Sequence, residues 1–148
     1  MNPALTVFRA DQPSEELYAA CQRLVPQLTN NNPPPSRQDL ALMLASPASI
    51  LFAARHADFG DEIIGLATLI LYRVPTGLRG YIEDVIVDER ARGRRIGEAL
   101  TQACLEHARQ AGAAHVDWPT WVMFQVSDRI LKVTCAQGQS PGNRFEGP

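Results

Sequence analysis

The stretch Arg92-Gly93-Arg94-Arg95-Ile96-Gly97 follows an apolar run, Ile82 to Val87, and opens a segment whose apolar residues recur at helical spacing. A strand, a glycine-bearing turn and a helix start in that order bring several free backbone N–H groups and the positive end of a helix dipole to one point. Three guanidinium groups add full charges there. This is an anion-binding construction, and a pyrophosphate would fit it. Just upstream, Glu83 and Asp84 place two carboxylates on the strand. Either could take a proton from an ammonium group or attract it. Adjacent strand residues point to opposite faces, so one of the two is expected in any common cleft. Glu83 is read as the base and Asp84 as a substrate anchor or supporting group, against the plain alternative of two solvated carboxylates. Tyr81, two residues before Glu83 and on its face, is a candidate proton donor or simply a rim tyrosine.

Composition narrows the classes. With 148 residues and 45% apolar content the chain suits a single domain with a real core. A formal charge of −2 argues against non-specific nucleic-acid binding, because Asp84, Asp88, Glu89 and Glu98 dilute the arginine cluster. Aromatic residues that could stack bases are not interleaved with those arginines. Neither a Gly-x-x-x-x-Gly-Lys-Ser/Thr loop nor a Gly-x-Gly-x-x-Gly turn occurs, which removes the usual support for nucleotide hydrolysis or dinucleotide binding. His56, His107 and His115 are scattered, so no metal site is expected. Cys21, Cys104 and Cys135 lack metal-ligand spacing and read as buried or free thiols. There is no charged start followed by an apolar signal-like stretch, and no transmembrane-length run. Cytoplasm is the expected location, with no membrane partner.

The positioning elements can be traced in order. Ala4 to Ala10 reads as a strand, and Pro13-Ser14-Glu15-Glu16 as the start of a helix to about Leu28, with Pro26 expected to kink or break it near Arg23. Ser36 with Asp39 resembles a capping box for a second helix through Leu44. Strands are expected at Ile50 to Ala54, Ile63 to Tyr72 and Gly80 to Val87. A helix over Ile96 to Ala111, closed by Gly112, then leads to a strand from Ala113 to Asp117.

The segment from Tyr81 to Leu100 resembles the acetyl-CoA signature of the GNAT superfamily of N-acyltransferases, Gln/Arg-x-x-Gly-x-Gly/Ala, with Arg95 standing at a usual glycine. A helical φ at Arg95 would accept that change. Ile82-Glu83-Asp84-Val85-Ile86-Val87 resembles the preceding strand in diamine and other small-amine acetyltransferases. The resemblance implies an α/β fold, a GNAT-like mixed β-sheet flanked by helices and split between its fourth and fifth strands. It implies a bulge in the fourth strand, with backbone groups of Val85, Ile86 and Val87 contacting the pantetheine arm and thioester. It also implies acetyl-CoA held at Arg92, Gly93, Arg94, Arg95, Ile96 and Gly97, with an amine of a small molecule or protein as acceptor.

After Trp118 the chain departs from the family. The usual Asn-x-x-Tyr helix is missing, and no tyrosine follows Tyr81. Val122 to Val126 and Ile130 to Cys135 suggest short strands, and Ala136 to Pro148 a disordered tail. An exposed edge on the fifth strand would call for unusual cover, with a homodimer or strand exchange expected. An acetyl-CoA-binding or dimerising module with lost catalysis is the second reading. The acceptor loops are expected at Leu28 to Ser36 and Tyr72 to Gly80.

Overall fold

The computed structural model describes residues 4–119 and 144–146. Its elements are β1 (Leu5–Arg9), α1 (Glu15–Leu28), α2 (Arg37–Ala45), β2 (Ser49–His56), β3 (Ile63–Val74), β4 (Gly77–Val87), α3 (Ile96–Gln110), β5 (His115–Asp117) and β6 (Arg144–Glu146). They form a six-stranded mixed sheet whose spatial order equals the chain order. β4 and β5 run parallel, and the other neighbouring pairs run antiparallel. This is the sheet-and-helix architecture that the resemblance implies.

Local chemistry explains the boundaries. Ser14 caps α1 by accepting from the Leu17 amide at 3.1 Å. Ser36 and Asp39 form a reciprocal capping box on α2. Pro26 does not break α1, which continues to Leu28, and the Thr29 amide still reaches the Val25 carbonyl at 3.1 Å. Proline removes its own donor, and the turns on either side hold the helix together. Gly112 follows α3 at φ 86, a left-handed position suited to glycine.

The sheet is apolar on both faces. On one, Phe52, Leu69, Ile82, Val85, Val87, Val116 and Trp118 pack with Ile96, Leu100, Cys104 and Ala108 of α3. On the other, Leu51, Ala53, Leu66 and Ile86 pack with Leu17, Cys21 and Leu24 of α1 and Leu40 of α2. Each fully buried aliphatic side chain here contributes about 1.5–3 kcal/mol.

Two further sequence expectations change. The connection between β3 and β4 is a tight hairpin, with Val74 opposite Gly77, rather than a loop from Tyr72 to Gly80. Residues 144–146 are a strand, not a disordered tail: β6 pairs with β5, Val116 lying opposite Phe145. The unpaired edge of β5 supplies the reason, since its backbone groups need partners. The strands expected at Val122 to Val126 and Ile130 to Cys135 lie outside the described residues.

Gly65 of β3 sets how closely α3 approaches the sheet. A Cβ there would lie 2.9 Å from Leu100 Cδ1, 3.1 Å from Ile96 Cγ2 and 3.3 Å from the Ile86 carbonyl oxygen. Gly65→Val should therefore lower unfolding free energy by about 1–3 kcal/mol through overpacking, read as a reduced urea midpoint at unchanged slope.

Candidate active site

β4 is irregular where the chemistry is expected. Leu66 pairs with Ile86 and Thr68 with Glu83, so Asp84 and Val85 together oppose the single residue Ala67. This is a β-bulge, and Asp84 carries it at φ 52. The extra residue shifts the alternation. Ile82, Val85 and Val87 all enter the core beneath α3, whereas Glu83 shares the opposite face with Ile86. The simple expectation that Glu83 and Asp84 point to opposite faces of a regular strand is thereby replaced by a bulge residue in left-handed backbone. Aspartate tolerates that conformation better than most residues.

The neighbouring strand leaves the same place open. β5 pairs with β4 only at Arg79, Gly80 and Tyr81, against His115, Val116 and Asp117. Beyond Tyr81, the Ile82–Val87 edge has no strand partner on that side among the described residues. The two parallel strands part there, and the N-terminus of α3 lies just past the end of β4.

Three groups change electrostatically in this opening. Burial raises the Glu83 carboxyl above its ordinary pKa, and the Asp84 charge raises it further. Desolvation also raises Asp84, although its side chain reaches solvent. Tyr81 is raised by burial and then by the negative fields of Glu83 and Asp117, so it keeps its proton. Asp117 was not legible as a site residue in the sequence. Register brings Asp117 directly opposite Tyr81 across a parallel pair, and only strand pairing reveals it.

The turn after β4 is clamped from two sides. The buried Asp88 carboxylate accepts from the Arg90 amide at 3.1 Å and from Arg90 Nη2 at 2.7 Å, with Arg23 Nε at 3.5 Å. Glu62 in turn pairs with Arg23 at 2.9 Å and Arg90 at 3.0 Å. Gln27 Oε1 accepts from the Glu89 amide at 2.9 Å. α1 and the start of β3 thus hold the chain as it leaves β4.

Beyond this clamp lies the anion-binding turn. Gly93 stands at φ 79 and Arg95 at φ 64, so Arg95 is left-handed rather than helical. It occupies the N-cap of α3 and makes no side-chain cap. The first amides of α3 are left without that partner, unlike those of α1 and α2, which have Ser14 and Ser36. Space beside Gly93 is open, with nothing within 4 Å of an added Cβ. Arg92 is exposed, Arg94 pairs with Asp58 and lies 5.1 Å from the Phe59 ring centroid, and Arg95 pairs with Glu98. Ile96 and Gly97 are buried in the first turn of α3. These features suit a polyphosphate ligand: uncapped amides, open space and flanking guanidiniums.

A model of the acetyltransferase (GNAT) family matches residues 15–123. The chain belongs to that family. Its sequence is 48% identical over 40 residues to glucosamine 6-phosphate N-acetyltransferase 1 of rice, a match spanning 27% of this chain and 24% of the rice protein. Its structure is similar to that of a Trypanosoma brucei acetyltransferase, at TM-score 0.66 and 25% identity, covering 92% of both chains. It also resembles glucosamine-6-phosphate N-acetyltransferase from Arabidopsis thaliana, at TM-score 0.69 and 17% identity, covering 92% of this chain and 91% of that one. Membership explains why the bulge, the parting strands and the uncapped helix lie together.

Other candidates separate from the site. Cys104 lies on the buried face of α3 and burial pushes its thiol up to about 12, which leaves it inert as a nucleophile. Among the described residues, no group of three His, Cys, Asp or Glu side chains is placed to hold a metal ion. No helix among them is long and apolar enough to cross a membrane.

The Asp88 clamp makes a pH prediction. Hydrogen bonds from Arg90 hold Asp88 down at about 2, below its ordinary 3.8. A depressed carboxylate contributes stability above the unfolded value and loses it as pH falls through the folded one. Wild type should lose about 2 kcal/mol between pH 5 and pH 2 from this group, and Asp88→Asn should be destabilised at pH 7 with a flatter profile in that window, measured by urea unfolding.

Proposed function

We propose that the protein transfers an acetyl group from acetyl-CoA to a primary amine of a small molecule or protein. The observation that carries this reading is the coincidence, within one family fold, of a bulged β4 edge and an uncapped, arginine-flanked helix start. Family membership supports acetyl transfer, and the uncapped, arginine-flanked turn supports acetyl-CoA as the donor. The rice and Arabidopsis relatives acetylate an amino sugar phosphate, which supports a small-molecule amine.

In this reading Arg92, Gly93, Arg94, Arg95, Ile96 and Gly97 hold the diphosphate, and backbone groups of Val85, Ile86 and Val87 bind the pantetheine arm and polarise the thioester carbonyl. Glu83 removes the ammonium proton, directly or through water. Its raised pKa moves it toward the range in which a carboxylate works as a base near neutrality. Asp84 attracts and orients the amine beside it. The freed amine attacks the thioester carbon, the carbon–sulfur bond breaks, the nitrogen loses a second proton as the amide forms, and the thiolate takes one, so no proton is gained or lost in the transfer itself. Tyr81 is assigned as the donor of the thiolate's proton because it stays protonated and shares the Glu83 face. A non-catalytic acetyl-CoA-binding module remains the second reading, favoured by the lack of a tyrosine after Tyr81. A homodimer and a cytoplasmic location belong to the same proposal.

Calorimetry and thiol release test these steps separately. Arg92→Glu should weaken acetyl-CoA binding by at least about tenfold through charge reversal at the phosphates. Wild-type affinity in that variant would remove the donor site from this turn.

Glu83→Gln should lower kcat/KM by about a hundredfold, most strongly at low pH where the amine is protonated, with acetyl-CoA affinity nearly constant. A larger loss in Asp84→Asn would exchange the two roles. Binding of acetyl-CoA with no thiol release across a panel of amines would favour the module.

A further inference from the structure

Arg95 is already matched by a carboxylate of its own chain. It donates through Nε and Nη2 to the two oxygens of Glu98 at 2.9 and 3.0 Å, a bidentate pairing of the kind guanidinium makes with phosphate. The pair joins an exposed arginine to a largely shielded acid, their side chains 53% and 17% exposed. Glu98 also sits in the first turn of α3, where its charge answers the positive end of the helix. Left-handed backbone at the N-cap, φ 64, orients Arg95 across this turn rather than along a continuing helix. One carboxylate therefore meets both attractions that would draw a phosphate: the guanidinium and the helix start.

We infer that Glu98 is an internal competitor for the anion-binding turn, and that it sets acetyl-CoA affinity by holding Arg95 until phosphate takes its place. The inference rests on the proposed donor site and adds a residue that tunes it. Two other charged groups face the turn. Arg94 is engaged by Asp58 of the β2–β3 turn, and Arg92 makes no ion pair among the described residues. The arginine nearest the uncapped amides is thus the one whose exchange costs a bidentate pair. A phosphate that replaces Glu98 must release that pair and push a carboxylate away from the helix end, so affinity stays moderate and product CoA can leave.

The test is calorimetric titration with acetyl-CoA at low and high salt, using wild type, Glu98→Gln, Arg95→Ala and the double variant. Glu98→Gln should bind about two- to fivefold tighter at low salt, with a steeper salt dependence, as expected for one freed charge near an anion. The double variant should lose most of that gain. Unchanged affinity in Glu98→Gln overturns the inference. So does a gain that persists in full without Arg95, which would mean that Glu98 acts by repulsion alone. Wild type that binds no acetyl-CoA would instead overturn the donor-site reading itself.

Discussion

The structure depends on an asymmetry in β4. On one side β3 pairs along it from Gly77 to Val87, interrupted by one bulge; on the other, β5 pairs for three residues. Backbone hydrogen-bonding groups left without a strand must find another partner, and this requirement turns a sheet edge into a binding surface. Everything nearby serves to keep that edge open yet rigid. Ile82, Val85 and Val87 anchor it in the core, so the strand cannot relax toward β5. The close seating of α3, permitted by Gly65, fixes the helix start relative to the opening.

Rigidity comes from a second set of interactions on the far face. Asp88, Arg90, Arg23 and Glu62 join α1, the start of β3 and the exit of β4 in one charge network. Asp88 is buried, so its interactions are weakly screened, whereas the Arg94–Asp58 pair is exposed on both sides and the Arg95–Glu98 pair on its arginine side. The result is a graded arrangement. The chain is held firmly up to Ala91 and loosely through the arginines that would greet a ligand.

Much of this was legible in the residues. Alternating apolar runs, Ser36 with Asp39, and Gly112 after the helix announced the elements, because each signal acts within a few residues. The turn at Arg92 to Gly97 was legible for the same reason. What escaped depends on distant pairing. The resemblance implied a bulge in the fourth strand, but its place at Asp84 depends on register against β3, and the meeting of Tyr81 with Asp117 on a parallel pairing across an intervening helix. The left-handed state of Arg95 was obscured because arginine carries no local signature for it. Pro26 pointed the other way, toward a break that neighbouring turns absorb. The β3–β4 connection was expected as a loop from Tyr72 to Gly80 around a turn at Pro75-Thr76-Gly77, whereas cross-strand pairing runs up to Val74 and Gly77.

The spatial order of the strands equals their order in the chain, from β1 to β6. A sheet built this way can grow during synthesis from one margin to the other, each new strand docking on one already present. The opening between β4 and β5 is then among the last parts to take shape, since it needs α3 and β5. On that order of assembly, a nascent chain would pass through a stage in which β3 and β4 are paired but the apolar face of β4 awaits its helix. Substitutions that slow the docking of α3 would therefore expose that face during translation, and would reduce yield in cells more than they reduce the stability of the finished protein.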